Sequence, residues 1–173
     1  VISLRAPRYE VLGLAYGALH PETMFSPRVA PQMIGLGLLE MIDERDILAA
    51  ADPMDGDGDG ISGRANLVWS VERQAVTLGR FGWKAGVATI NEQGQAAFNA
   101  DIGISVPLFP SGGGECTPRQ SACQAAPNGN SPQYDGVEAG RQVTGVVALY
   151  SRNLAVPARR NYDDPEILAG KLV

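Results

Sequence analysis

Four aspartates lie close together in the chain, at Asp52, Asp55, Asp57 and Asp59. The last three alternate with glycine, which supplies the positive φ angles that a tight turn needs. Without a counter-ion these carboxylates repel one another. A hard cation such as Ca²⁺ removes the repulsion, because it takes about six to eight oxygen ligands in flexible geometry. The spacing therefore predicts a calcium-binding loop, with a solvated acidic turn as the alternative.

This loop differs from the EF-hand type of calcium loop. It has aspartate at the first, third and fifth positions and glycine at the sixth, but its twelfth residue is Asn66, where an EF-hand has a bidentate glutamate. Magnesium fits less well than calcium, because it keeps more of its water ligands. We therefore predict a calcium loop of another type, with one backbone carbonyl among its ligands. The predicted ligands are the carboxylates of Asp52, Asp55, Asp57 and Asp59 and the carbonyl of Ile61.

The two cysteines, Cys116 and Cys123, lie in a segment rich in glycine and proline. Their isolation from any third cysteine favours a small disulfide, which implies an oxidising compartment such as the bacterial periplasm. Free thiols are one alternative. A redox-active or metal-binding pair is another, but the spacing is not Cys-x-x-Cys and His20 is the only histidine.

The composition indicates one domain with much irregular structure. The chain has 173 residues, of which 45% are apolar and 6% aromatic, with 21 glycines and 12 prolines. The net charge is −5 and no basic stripe is interleaved with aromatic residues, so we expect no nucleic-acid partner. We also expect no membrane span, since no apolar run is long enough.

We predict the elements that position these residues from hydrophobic periodicity and from the glycine and proline residues that interrupt it. The fold is predicted to be mainly α, with long irregular loops and one small β-hairpin. Gly35 and Gly37 interrupt the first helical pattern, which predicts that another element packs closely there. A long loop is predicted over residues 101–134. One side of the longest predicted helix carries four apolar or aromatic residues: Val143, Val146, Val147 and Tyr150. The predicted helices cover residues 33–42, 44–51, 87–100 and 137–154 and begin again near 164, and the hairpin pairs 66–71 with 75–78.

Several segments of the chain, in order and over nearly its whole length, resemble one family. That family is the bacterial di-haem oxidoreductases, which are similar to c-type di-haem peroxidases. The resemblance implies a periplasmic redox protein with two covalently bound c-type haems, a calcium ion and a small electron-donor protein such as a c-type cytochrome. The segments are SLRAPR (3–8), SPRVAP (26–31), GLGLLE (35–40), DGDGISGR (57–64), GRFGWKA (79–85), DIGIS (101–105) and LAVPARR (154–160).

The chain departs from this family in one respect. Covalent haem attachment needs Cys-x-x-Cys-His, and the sequence contains no such motif. We therefore expect residues 1–173 to be a single domain or fragment, the inter-haem region of a longer protein with a cytochrome c peroxidase-like architecture. Residues 169–173 resemble the lead-in to a second haem motif. The parent would be a haem-dependent oxidoreductase, and this chain alone would be inactive.

The resemblance also implies roles for individual residues. Trp83 would lie between the haems and relay electrons, with a packing aromatic as the alternative. Arg80 and Lys84 would pair with haem propionates, or else form surface ion pairs. From residue chemistry alone, His20 is a candidate axial ligand of iron, with Met24 and Met33 as the other candidates. Glu40 is a candidate for acid–base work on peroxide. The alternative for both His20 and Glu40 is an ordinary surface residue without a functional role.

A second function from another class remains open at this point. The chain would then be a haem-free periplasmic binding module, in which calcium braces a surface for a protein partner. A Cys-x-x-Cys-His motif in the coding sequence that flanks this segment would favour the first function over the second.

Overall fold

The structure is a computed structural model that describes residues 5–170. Within that range the predicted class is confirmed, since helices and irregular loops dominate and the only sheet has two strands. The predicted lead-in at 169–173 and the first motif at 3–8 lie partly outside the described residues. The elements are α1 (Leu36–Met41), α2 (Glu44–Ala49), β1 (Leu67–Ser70), β2 (Ala75–Leu78), α3 (Ile90–Ala100), α4 (Ser121–Gln124), a 3-10 turn (Pro132–Tyr134), α5 (Arg141–Asn153) and α6 (Pro165–Ala169).

The hairpin forms as predicted, with an antiparallel register that pairs Leu67 with Leu78 and Ser70 with Ala75. Its first strand is one residue shorter at each end than predicted. At the far end the N–H of Val71 leaves the ladder and donates to a carboxylate oxygen of Glu92, at 2.9 Å. A side chain outside the hairpin therefore ends the strand.

The helix boundaries differ from the predicted ones because of caps that hydrophobic periodicity does not reveal. Helix α3 begins at Ile90 rather than at residue 87, since the extended Thr89 caps it by accepting from the N–H of Glu92 at 3.0 Å. Helix α5 begins at Arg141 rather than at 137, because Val137 forms a bridge with Ser131. The predicted loop at 101–134 contains α4 and the 3-10 turn.

Helix α2 and the last helix match their predicted start signals. Asp43 caps α2 by accepting from the N–H of Arg45 at 2.9 Å, as its sequence position predicts. Helix α2 ends at Ala49, two residues earlier than predicted. Asp164 caps α6 by accepting from the N–H of Glu166 at 2.9 Å.

Helices α1, α3 and α5 pack on one another. The close approach predicted at the α1 glycines is confirmed, since a Cβ at Gly37 would collide with the carbonyl of Arg152 on α5. Helix α5 turns its small and polar residues inward: Thr144, Ala148 and Ser151 are buried. The side that carries Val143, Val146 and Tyr150 faces outward instead, with Tyr150 65% exposed.

The N-terminus of α3 joins the other elements through three glutamates. Glu40 on α1 accepts from the N–H of Ile90 at 2.9 Å. Glu72 in the hairpin turn accepts from the hydroxyl of Thr89 and from the side-chain amide of Asn91. In return, the buried Glu92 of α3 accepts from the hydroxyl of Ser70 at 2.6 Å and from Val71 in the hairpin. Helix α1 and the hairpin are therefore both fixed to the first turn of α3.

Removal of the Glu92 carboxylate should destabilise the fold. The change Glu92→Ala leaves the buried Ser70 hydroxyl and the Val71 N–H without their acceptor, which costs on the order of 2–4 kcal/mol in the free energy of unfolding. Urea unfolding followed by circular dichroism measures this loss. The control Glu44→Ala, at an exposed position of α2, should change stability by less than about 0.5 kcal/mol. Equal stability of the two variants would contradict the role given to Glu92.

Candidate functional site

The aspartate loop is closed at its base by the backbone. The N–H of Asp52 donates to the carbonyl of Gly63 at 3.0 Å, which brings the two ends of the loop together. Within the loop, Asp55, Gly58 and Gly60 adopt positive φ angles of 53°, 75° and 85°. The two glycines meet this demand without strain, whereas Asp55 is one of the residue types that tolerate it.

Three of the predicted ligands converge. Carboxylate oxygens of Asp52, Asp55 and Asp57 lie within 4.8 Å of one another. Asp59 lies outside this group, and its carboxylate accepts from the N–H of Ile61 at 2.7 Å. The Ile61 side chain is exposed. All four carboxylates accept from backbone N–H groups of the turn, and the ligand roles of Asp59 and of the Ile61 carbonyl stay predictions.

The backbone also stabilises the charged form of this group. The carboxylate of Asp52 accepts from the N–H of Gly56 at 2.9 and 2.7 Å, and this bond lowers the pKa of Asp52 below its ordinary value. The carboxylates of the half-buried Asp52 and Asp55 and the exposed Asp57 keep free oxygen lone pairs, which match the hard oxygen ligands that calcium prefers. The donor set therefore fits a calcium ion.

Trp83 lies on the surface of a separate groove. Its side chain is 62% exposed, and its indole N–H donates to the carbonyl of Val29 at 2.9 Å. Pro27, Arg28 and Lys84 complete a groove of about 480 Å³. The tryptophan thus joins the N-terminal segment to the turn after the hairpin while leaving most of its ring open to a partner. The lining by residues 27–29 was not predicted, although the SPRVAP motif pointed to that segment.

The two predicted cations near Trp83 diverge. Arg80 turns away and donates through Nη1 to the carbonyls of Leu39 and Ile42, at 3.1 and 2.7 Å, at the C-terminal end of α1. A guanidinium satisfies these carbonyls, which have no partner within the helix. Lys84 lines the groove with Trp83. The structure therefore brings Lys84 and Trp83 together and gives Arg80 a bond that fixes the turn to α1.

Glu40 and His20 lie outside this groove. The Glu40 carboxylate accepts from Arg152 Nε at 2.6 Å and from the N–H of Ile90. Burial alone raises the pKa of Glu40, but these two bonds and the Arg152 charge outweigh it and lower the pKa. Such contacts are typical of a structural ion pair, and a catalytic role for Glu40 stays a prediction. His20 is exposed and accepts through Nδ1 from the N–H of Glu22 at 3.2 Å, so its axial role also stays a prediction.

The class is that of oxidoreductases with two haems: a family model described as "di-haem oxidoreductase, putative peroxidase" matches residues 17–173. The chain belongs to this di-haem oxidoreductase family, which confirms the resemblance predicted from its motifs. No curated protein and no solved structure gave a significant match. None of the helices in residues 5–170 is long and apolar enough to cross a membrane.

Covalent haem attachment does not fit this chain. A c-type haem is bound through the two thiols of Cys-x-x-Cys-His, and the sequence lacks that motif. Both cysteines are joined in the predicted disulfide, with a Cα–Cα distance of 6.1 Å between Cys116 and Cys123. Residues 1–173 therefore offer no pair of free thiols in the arrangement that covalent haem attachment needs.

The pKa of Glu40 predicts how stability depends on pH. Because its folded-state pKa lies below the ordinary value of 4.5, Glu40 stabilises the fold fully above about pH 4.5. This contribution is lost as the pH falls through the lower folded-state pKa. Urea unfolding between pH 7 and pH 3 should therefore show a smaller loss of stability in Glu40→Gln than in the unchanged chain. The control Glu44→Gln should follow the unchanged chain, and an unaltered profile in Glu40→Gln would contradict the assignment.

Proposed function

We propose that this chain is the calcium-binding portion of a periplasmic di-haem c-type oxidoreductase. The parent has a cytochrome c peroxidase-like architecture and passes electrons from a small c-type donor protein to peroxide or another acceptor. The observation that carries the calcium part is the convergence of Asp52, Asp55 and Asp57 within 4.8 Å. The family match supports the redox part and favours it over the haem-free binding module.

The distribution of apolar side chains supports the proposal that other parts of the parent cover this region. Among the described residues eight apolar side chains are buried, whereas thirty large apolar side chains are exposed. Met24 is 92% exposed, Met41 82% and Leu12 79%. Single exposed apolar residues are ordinary, but an excess of this size is typical of a surface that another component covers. Haems and the segments that bind them would be that component.

Calcium binding is tested directly on this chain. After treatment with a chelator, calorimetric titration with Ca²⁺ should show one site. At a free calcium concentration of about 100 times Kd, the free energy of unfolding should rise by about 2.7 kcal/mol. Asp57→Asn keeps an oxygen acceptor for the N–H of Asp59 but removes one charge from the group. It should weaken binding by about tenfold, or ~1.4 kcal/mol.

The control is Asp163→Asn, which changes an exposed aspartate outside the loop and should leave the affinity unchanged. Absence of any calcium heat up to millimolar concentration would refute the calcium site. An equal loss in the two variants would show that net charge alone sets the affinity.

Trp83 is the residue that we propose to lie between the haems of the parent. Its exposed ring and the charge of the neighbouring Lys84 support this position. Charged groups close to a bound cofactor tune the electronic properties of that cofactor. In the haem-loaded parent, Trp83→Phe should slow electron transfer between the haems while leaving both haem spectra nearly unchanged. The matched control is Trp69→Phe, because Trp69 is 57% exposed on the hairpin. Equal rates in both variants would reduce Trp83 to a packing residue.

A further inference from the structure

The disulfide lines the wall of an open cavity. Cys116 and Cys123 contribute to a cavity of about 540 Å³ that the end of α3, at Asn99 and Ala100, also lines. Both cysteines are only partly buried. A molecule the size of a small thiol compound fits a cavity of this volume. The disulfide therefore borders an open cavity and is not enclosed in the core, and access of a thiolate to the bridge is a requirement for thiol–disulfide exchange.

The segment inside the disulfide is held mainly by itself. The N–H of Thr117 donates to Oε1 of Gln120 at 2.8 Å, and the amide of Gln124 donates to the carbonyl of Cys116. Helix α4 has four residues, fewer than a helix needs to persist on its own. The bridge across this segment, with a sequence separation of 7, is therefore its principal constraint.

A second set of contacts separates this segment from the core. The buried Ser105 donates its N–H to Glu138 at 2.9 Å and its hydroxyl to Asn130. Glu138 also accepts from the N–H of Gly129 at 2.7 Å. The backbone bonds from Ser105 and Gly129 lower the pKa of Glu138, so these contacts hold a carboxylate anion. They clamp both ends of the long loop without using either cysteine.

We propose that Cys116–Cys123 is a thiol–disulfide exchange site for a dithiol reductant, and that its reduction releases residues 111–126 while the rest of the fold stays intact. One thiolate of the reductant attacks a cysteine sulfur, forms a mixed disulfide and expels the other cysteine as a thiolate. The second thiol of the reductant then displaces the first cysteine. Two electrons and two protons pass to the protein, which gains two thiols, and the reductant leaves as its own disulfide.

The clamp at Ser105, Asn130 and Glu138 makes the response local. Loss of the bridge restores conformational freedom between the two clamped ends, since α4 is too short to hold the segment. Helices α3 and α5 keep their mutual packing and their bonds to the hairpin and α1. The disulfide thus controls the order of one loop and the shape of the cavity that this loop lines.

The test uses dithiothreitol on the full chain at neutral pH without denaturant. Alkylation and mass measurement should count two modified cysteines, and hydrogen exchange of amides in residues 111–126 should become about tenfold faster or more. Exchange in α3 and α5 should not change. The double variant Cys116→Ser/Cys123→Ser is the control, because it should show the fast exchange in this segment with or without dithiothreitol.

Two results would overturn the proposal. A disulfide that dithiothreitol reduces only after denaturant is added would not be reachable through the cavity. Faster exchange across α3 and α5 on reduction, or in the double variant, would make the bridge a global structural support. The variant result is independent of the rate of reduction, so each half of the proposal is tested separately.

Discussion

The first turn of α3 is the constraint on which the rest of the structure depends. Its N–H groups have no partners within the helix, and the positive end of the helix dipole attracts anions. Glu40 of α1 accepts from the N–H of Ile90, and Glu72 of the hairpin turn accepts from the side chains of Thr89 and Asn91. In return, Glu92 accepts from the N–H of Val71 in the hairpin. Three carboxylates close together repel one another, and the ion pair of Arg152 with Glu40 offsets part of that repulsion.

This constraint fixes the elements that present the candidate sites. The hairpin held by Glu92 leads directly into the turn that carries Trp83, and Arg80 ties that turn to the C-terminal end of α1. The side chain of Asn66, just before the hairpin, donates to the carbonyls of Lys84 and Ala85 at 3.0 and 3.1 Å. Only a few residues separate Asn66 from the aspartate loop. An ion bound in that loop would therefore restrict the entry to the same hairpin that positions the exposed tryptophan.

Local signals predicted much of this arrangement, and long-range contacts account for the rest. The hairpin, the Asp43 cap and the disulfide each depend on neighbouring residues, so their sequences suffice. The starts of α3 and α5 depend on a cap and a bridge that compete with apolar periodicity. Among the metal ligands, the alternation of aspartate and glycine predicted the turn. It did not show which of the four carboxylates would converge, because each of them also accepts from a backbone N–H of the turn, as Asp57 does from Asp59 and Asp59 does from Ile61.

Helix α5 shows why apolar periodicity misleads in a chain of this kind. Periodicity predicts burial only if the chain itself supplies the partner surface. Here Gly37 lets α1 approach the α5 backbone closely at Arg152, while Thr144 and Ala148 of α5 lie against Ile90, Gly94 and Phe98 of α3, so the buried residues of α5 are small or polar. The larger Val146 and Tyr150 are left outside, at 62% and 65% exposure. A helix that buries its small residues and exposes its large ones is packed for a second neighbour. The exposed apolar side chains of α5 are thus the part of this helix that the packing within residues 5–170 leaves without a neighbour, and they belong to the surface on which the proposed function rests.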